Sequence, residues 1–229
     1  MTRVAAHIAV RDGAAYLVEA LDSIAGQTRP VDEVVVVDDG STDGSGDIAE
    51  GHRVRPRVVR LPPSGLSAAR NAGIAASSAD LLAFLDADDL WLPGHIETLA
   101  ASLASDPGLA MAFGHVEQFA SPDLSPEERA RIDVPEGLQP GYLAGAMLLR
   151  RSGFAAAGGF DSTYRAGDFI AWFLRARDAG LRHVVLPDLV LRRRLHRSNM
   201  GRAHTDFRVD YVRLLRAALH RRRAAEGDS

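Results

Sequence analysis

The chain has no cysteine. Disulfides, thiolate metal sites and cysteine nucleophiles are therefore excluded. It also lacks long hydrophobic runs. Apolar runs such as residues 81–85 and 146–149 fall far short of the roughly 20 residues that cross a bilayer. The N-terminus shows no charged region leading into an apolar stretch, so no transmembrane segment is expected and the expected location is cytoplasmic. Charge of one sign is not in excess: 27 Lys and Arg stand against 30 Asp and Glu, a formal net charge of −3. A nucleic-acid partner usually requires a strongly basic domain, so none is expected. Two phosphate-binding signatures are missing as well. There is no G-x-x-x-x-G-K-[ST] loop, and Gly40, Gly44 and Gly46 do not form G-x-G-x-x-G. A P-loop NTPase and a Rossmann oxidoreductase are both disfavoured.

What is present is the material of one large α/β domain. The 229 residues are 46% hydrophobic and 25% charged, enough for a sizeable core without covalent staples. Strands are expected at residues 4–10, 34–37, 58–61 and 81–85, the second a run of four valines. Helices alternate with them. Leu17, Leu21 and Ile24 repeat at helical spacing, with Asp12 as a candidate cap. Residues 66–76 form an alanine-rich helix, and Pro93 opens another carrying Ile96, Leu99 and Leu103. This alternation predicts a mostly parallel, doubly wound central sheet flanked by helices. The second half is less regular. One or two strands are expected over 110–119 and one over 147–150, with short strands at 184–186 and 189–191. A helix is expected over 168–179, a loop or mobile lid over 120–141, and a basic amphipathic helix over 206–223.

Two of the expected strands run directly into carboxylates. Residues 34–37 lead into Asp38-Asp39-Gly40-Ser41, and residues 81–85 lead into Asp86-Ala87-Asp88-Asp89. In open α/β sheets ligands bind beyond the carboxyl ends of the strands. The bland readings are a turn for the first cluster and an acid-rich helix start for the second. Together the two clusters say more than either alone. Clustered like charges repel, which invites a cation, and hard oxygen ligands suit Mg²⁺ or Mn²⁺ rather than zinc.

At these residues the chain resembles the family 2 glycosyltransferases with the GT-A fold. The matching stretches are VVVVDDGSTDGS at 34–45, GLSAARNAG at 65–73, FLDADDLWLP at 84–93, GGFD at 158–161, and Gly167-Asp168 heading a helix. The resemblance implies an α/β GT-A domain over 1–205, with a nucleotide-sugar-binding half (1–105), a smaller irregular acceptor-side half (106–205), and a basic helix and tail over 206–229. It implies a nucleotide-sugar donor, most simply a UDP-sugar, with Ala9, Val10 and Arg11 lining the nucleotide pocket and Asp39 on the base. Arg70 would lie in the segment closing over the donor. Asp86-Ala87-Asp88 would be the D-x-D motif, with Asp88 binding Mn²⁺ or Mg²⁺ directly and Asp86 nearer the ribose or the metal's waters. Asp168 would be the catalytic base of an inverting transfer; its bland reading is a helix N-cap. The chain departs from the family pattern where the first strand ends Ala9-Val10-Arg11-Asp12 instead of Pro-x-Tyr-Asn, and where Gly167 replaces a glutamate. The Q-x-x-R-W motif of processive synthases is absent, so a single transfer is expected.

Residues 192–202, RRRLHRSNMGR, add a basic segment. Its arginines could pair with phosphate, and His196 could ligate the metal or touch the diphosphate; a solvated basic strand edge is the plainer alternative. His7 is expected to be a satisfied core histidine, and Trp91 and Trp172 packing residues. The helix over 206–223 could cover the domain, pair two copies as a homodimer, or rest on an acidic membrane as a peripheral contact; covering the domain is the plainest. Two other functions compete: a non-catalytic nucleotide-sugar-binding protein and a nucleotidyltransferase. The second usually carries a glycine-rich basic loop after its first strand, where this chain has Arg11-Asp12-Gly13-Ala14. No pattern identifies the acceptor.

Overall fold

The computed structural model describes residues 2–164, 167–197 and 199; the helix expected over 206–223 lies outside them. Strand and helix alternate through the first half as β1 (Val4–Val10), α1 (Leu17–Ala25), β2 (Glu33–Asp38), α2 (Ser45–Gly51), β3 (Arg57–Arg60), α3 (Leu66–Ala75) and β4 (Leu81–Phe84). Then follow β5 (Leu90–Trp91), α4 (His95–Ser105), β6 (Leu109–Ala120), α5 (Pro126–Arg129), β7 (Gln139–Pro140), β8 (Met147–Arg150), α6 (Arg151–Ala157), α7 (Asp168–Asp178) and β9 (Arg182–Leu195). Among the described residues no helix is long and apolar enough to cross a membrane.

The strands form one sheet in the order β3-β2-β1-β4-β8-β6-β9-β5, with β7 beside β6. The four strands of the first half pair in parallel, as the strand–helix alternation requires. Beyond β4 the sheet is mixed. β8 runs antiparallel to both β4 and β6, while β6 and β9 are parallel to each other. Side chains alternate between two cores, as the two-residue strand period dictates. Val4, Ala6, Ile8 and Val10 of β1 pack with Leu17, Leu21 and Ile24 of α1 on one face. Leu82 and Phe84 of β4 pack with Phe113, Phe169 and Trp172 on the other. Each fully buried Leu, Ile or Phe contributes about 1.5–3 kcal/mol.

Three expectations change in the structure. The two short strands at 184–186 and 189–191 are one continuous strand, β9, because a bulge absorbs residues 186–188 opposite Gly114. Pro187 falls in that bulge, where a missing N–H costs no ladder bond. A Cβ at Gly114 would press into the Val190 side chain and the Asp188 carbonyl. Gly114→Ala should therefore cost about 1–3 kcal/mol in urea unfolding; an unchanged midpoint would show that the bulge has room. Residues 120–141 are not wholly loop: Ser125 and Glu128 form a capping box for α5, and β7 docks on β6. Asp12 does not cap α1. Its backbone is left-handed, with φ 51°, and its carboxylate takes the Thr42 N–H at 2.7 Å.

Candidate active site

The carboxyl ends of β2, β1 and β4 lie side by side and open into a cleft of about 930 Å³. Arg11, Asp39, Asp86, Asp88 and His196 all face it. The two acidic clusters thus meet in one cavity, although Asp88 lies 49 positions after Asp39 in the chain.

Asp39 marks one end. Its N–H donates to the Val10 carbonyl at 2.9 Å, which continues the β1–β2 ladder. Its carboxylate is buried and receives the Ser64 N–H at 2.7 Å and the Gly65 N–H at 2.8 Å. A carboxylate has about four acceptor positions, so two remain for a ligand donor. Gly40 makes the turn that follows: its φ is +74°, and a Cβ there would enter the Pro63 ring. The neighbouring loop after β1 is stitched to the loop after β2. Besides the Asp12–Thr42 bond, Ser45 Oγ accepts the Gly13 N–H and Asp43 accepts the Ala14 N–H. Arg11 stands exposed at the root of this locked loop.

The other end is built on the turn after β4. The Asp89 N–H closes it on the Asp86 carbonyl at 3.1 Å. Then β5, only two residues long, pairs with β9 and lays that strand against the turn. The Arg194 N–H donates to Asp89 at 2.8 Å, and its guanidinium donates to the Asp88 carbonyl at 3.0 Å. Arg194 is fully buried, sandwiched between the Tyr16 and Phe119 rings and paired with Glu19 at 2.7 Å. This fixes the chain leading to His196. Its Nε2 lies 2.8 Å from an Asp88 oxygen that also accepts the Asn199 side-chain N–H at 3.3 Å. Burial, then the neighbouring Asp88 and Asp86 charges, push the Asp89 carboxyl well above the usual carboxylate range.

Arg70 and Asp168 are not on the cleft wall. Arg70 projects from α3 into the protein. It donates one N–H to Asp168 at 2.8 Å and another to Asp86 at 2.9 Å. Burial works against its charge, but Asp168 and Asp86 outweigh that and raise its pKa. Asp168 is 5% exposed at the first position of α7. It is not the N-cap; Gly167 holds that place with φ 77° and no side-chain cap.

The structure therefore gathers Ala9, Val10, Arg11, Asp39, Asp86, Ala87, Asp88 and His196 around one cleft, and sets Arg70 and Asp168 behind it. Arg193, from the basic segment 192–202, lies on the same wall, and so do Tyr16 and Asp123, which sequence reasoning passed over. The Tyr16 ring lies 4.8 Å from that of His196, tilted by 47°, and its hydroxyl donates to Asp123 at 2.8 Å. Nothing in the local sequence of Tyr16 signals this. His7 is a satisfied core group as expected, with Nδ1 3.1 Å from the Ala83 carbonyl and Nε2 2.9 Å from Ser77 Oγ. The indoles of Trp91 and Trp172 are buried and donate to the Gly145 and Gly158 carbonyls.

A parallel sheet half with an acidic cleft at its strand ends, extended by a mixed half, defines a GT-A-type domain. The chain belongs to glycosyl transferase family 2, whose family model matches residues 6–158. The succinoglycan biosynthesis protein ExoU of Rhizobium meliloti is 31% identical over 175 residues, covering 67% of this chain and 51% of that protein. The glycosyltransferase AglE of Haloferax volcanii is 28% identical over 199 residues, 80% of this chain and 64% of AglE. The chain thus spans less than two thirds of either relative. Among solved structures, S. aureus TarS 1–349 in complex with UDP-GlcNAc superposes with a TM-score of 0.73 at 18% identity, covering 96% of this chain and 66% of that one.

Proposed function

We propose that this domain transfers one sugar from a nucleoside diphosphate donor, most simply a UDP-sugar, to an acceptor hydroxyl with inversion at the anomeric carbon. The observation that carries this is the meeting of Asp39, Asp86 and Asp88 in one strand-end cleft. Family membership supports sugar transfer, and the UDP-GlcNAc held by the TarS neighbour supports a uridine donor.

In this reading Asp39 accepts an N–H of the base with its remaining lone pairs. Arg11, Asp86 and Asp88 line the same cleft, where ribose and diphosphate would lie. A divalent cation suits that end. Asp88 and His196 offer one oxygen and one nitrogen ligand 2.8 Å apart. Among the described residues no group of three or more His, Cys, Asp or Glu side chains converges as a ligand set. Two protein ligands are what Mg²⁺ or Mn²⁺ needs when substrate phosphates and water complete its shell. When bound, the ion would neutralise the charge growing on the departing diphosphate. Arg193, also on the wall, adds a fixed positive charge beside that end. Asp168 is the proposed base. It must reach the cleft surface to take the acceptor proton, a movement that binding of both substrates would have to bring about.

A labelled-donor panel with and without Mn²⁺ tests this. Turnover should need the metal and favour one nucleotide, and NMR should show an inverted product. Saturation at a hundred times Kd should stabilise the fold by about 2.7 kcal/mol, which for a domain of this size raises Tm by about 5–10 °C. No shift with any nucleotide would end the proposal. A binding-only domain is the second reading, favoured by the burial of Asp168 behind the wall. Donor-induced stabilisation without turnover would select it.

A further inference from the structure

We propose that Arg70 is a positioning residue, which sets the Asp168 carboxylate against that of Asp86 and touches neither donor nor acceptor. This rests on the reading of Asp168 as the base. A guanidinium presents its donors in a rigid planar fork. Here one arm holds Asp168 and the other Asp86, at 2.8 and 2.9 Å. The side chain is only 7% exposed, so an incoming diphosphate meets Asp86 before it could meet Arg70. The two carboxylates differ in access: the Asp86 side chain is 49% exposed, that of Asp168 7%. Arg70 therefore links an acid on the cleft wall to an acid behind it.

The link is held from both sides. On α3, Asn71 clips Phe160 twice, donating to its carbonyl at 2.8 Å and accepting its N–H at 2.9 Å. Ser67 Oγ donates to the Asp161 carbonyl at 3.1 Å. The Phe160 ring lies 5.7 Å from the guanidinium carbon. A side chain at Gly159 would crowd Asn71. The stretch Gly158–Asp161 is thus a strap, fastened to the same helix face that carries Arg70, on the chain that leads into α7. Side chains one turn apart on α3 fix both the strap and the carboxylate beyond it.

A mutant cycle with the full chain decides the matter, read as kcat for transfer and as Kd for UDP with Mn²⁺ by calorimetry. Arg70→Met should lower kcat about a hundredfold, the scale of a misplaced catalytic group, with Kd changed less than about threefold. Arg70→Lys, which keeps the charge but not the fork, should recover part of the rate. Because Arg70 would act through Asp168, Arg70→Met combined with Asp168→Asn should be no slower than Asp168→Asn alone. If Arg70→Met fails to fold, the double variant, which removes both charges of the buried pair, supplies the comparison with Asp168→Asn. A tenfold or greater loss of UDP affinity in any foldable Arg70 variant overturns the proposal, since Arg70 would then contact the donor. So does a double variant whose losses multiply. Full turnover by Asp168→Asn identifies a different failure, that of the base assignment itself.

Discussion

Asp88→Asn should lower sugar transfer about a thousandfold, some 4 kcal/mol of transition-state stabilisation. The substitution keeps the shape and removes the charge at the one oxygen that His196 and Asn199 both face. That oxygen is where a cation and the departing diphosphate would concentrate positive and negative charge, and a preorganised charge is the largest single contribution such a site makes. The fold should not suffer. Asp89 beside it is already strained toward its neutral form by burial and by its two acidic neighbours. Removing one of those charges relieves repulsion and adds none. The measurement is kcat/KM at saturating Mn²⁺, with thermal melting and uridine affinity as controls. Uridine lacks phosphates and should bind equally well to both proteins. Wild-type turnover by Asp88→Asn would remove this residue from the chemistry, and a matching loss of uridine affinity would mean that the cleft had been distorted.

The first half of the domain was legible because each of its signals is local. Four valines before Asp38, and Leu81 to Phe84 before Asp86, give both the strands and the direction in which their ends point. Asp39 and Asp88 could be placed in one crevice because parallel strands put all their carboxyl ends on one edge. The second half resisted for physical reasons. β5 is two residues long, too short for any period, yet its pairing with β9 brings His196 to Asp88. The bulge opposite Gly114 divides the β9 pattern into what look like two strands. Tyr16 reaches the cleft through Arg194, 178 positions further along the chain. The burial of Arg70 was equally out of reach. An arginine on an alanine-rich helix suggests a surface, and only the strap at Phe160 and the acid at Asp168 turn it inward.

Lowering the pH from 7.5 to 4.5 should destabilise the fold by about 5 kcal/mol through two histidines alone. His95 is fully buried, stacked 4.3 Å from Trp91, with Nδ1 3.2 Å from the Val190 carbonyl and, among the described residues, no partner for Nε2. Burial, only partly offset by that carbonyl, pulls its pKa down to about 3. His7 is pulled down to about 4, first by burial and further by Arg151, against the Ala83 carbonyl and Glu33. In the unfolded chain both titrate near 6.5. Between that value and the folded one the unfolded chain binds more protons, so acid favours unfolding. The stabilisation is complete above 6.5, fades through about 4 for His7, and continues to fade to about 3 for His95. At pH 4.5, two units below the unfolded value, each histidine costs about 2.7 kcal/mol. That is a large share of a total stability of about 5–15 kcal/mol. Urea unfolding at the two pH values measures the difference. His95→Phe keeps the stack on Trp91 and removes the proton site; losing the bond to Val190 should cost about 1 kcal/mol at pH 7.5. The gap between pH 7.5 and 4.5 should shrink by about half in that variant. An undiminished gap would rule out His95 as a source of the acid sensitivity.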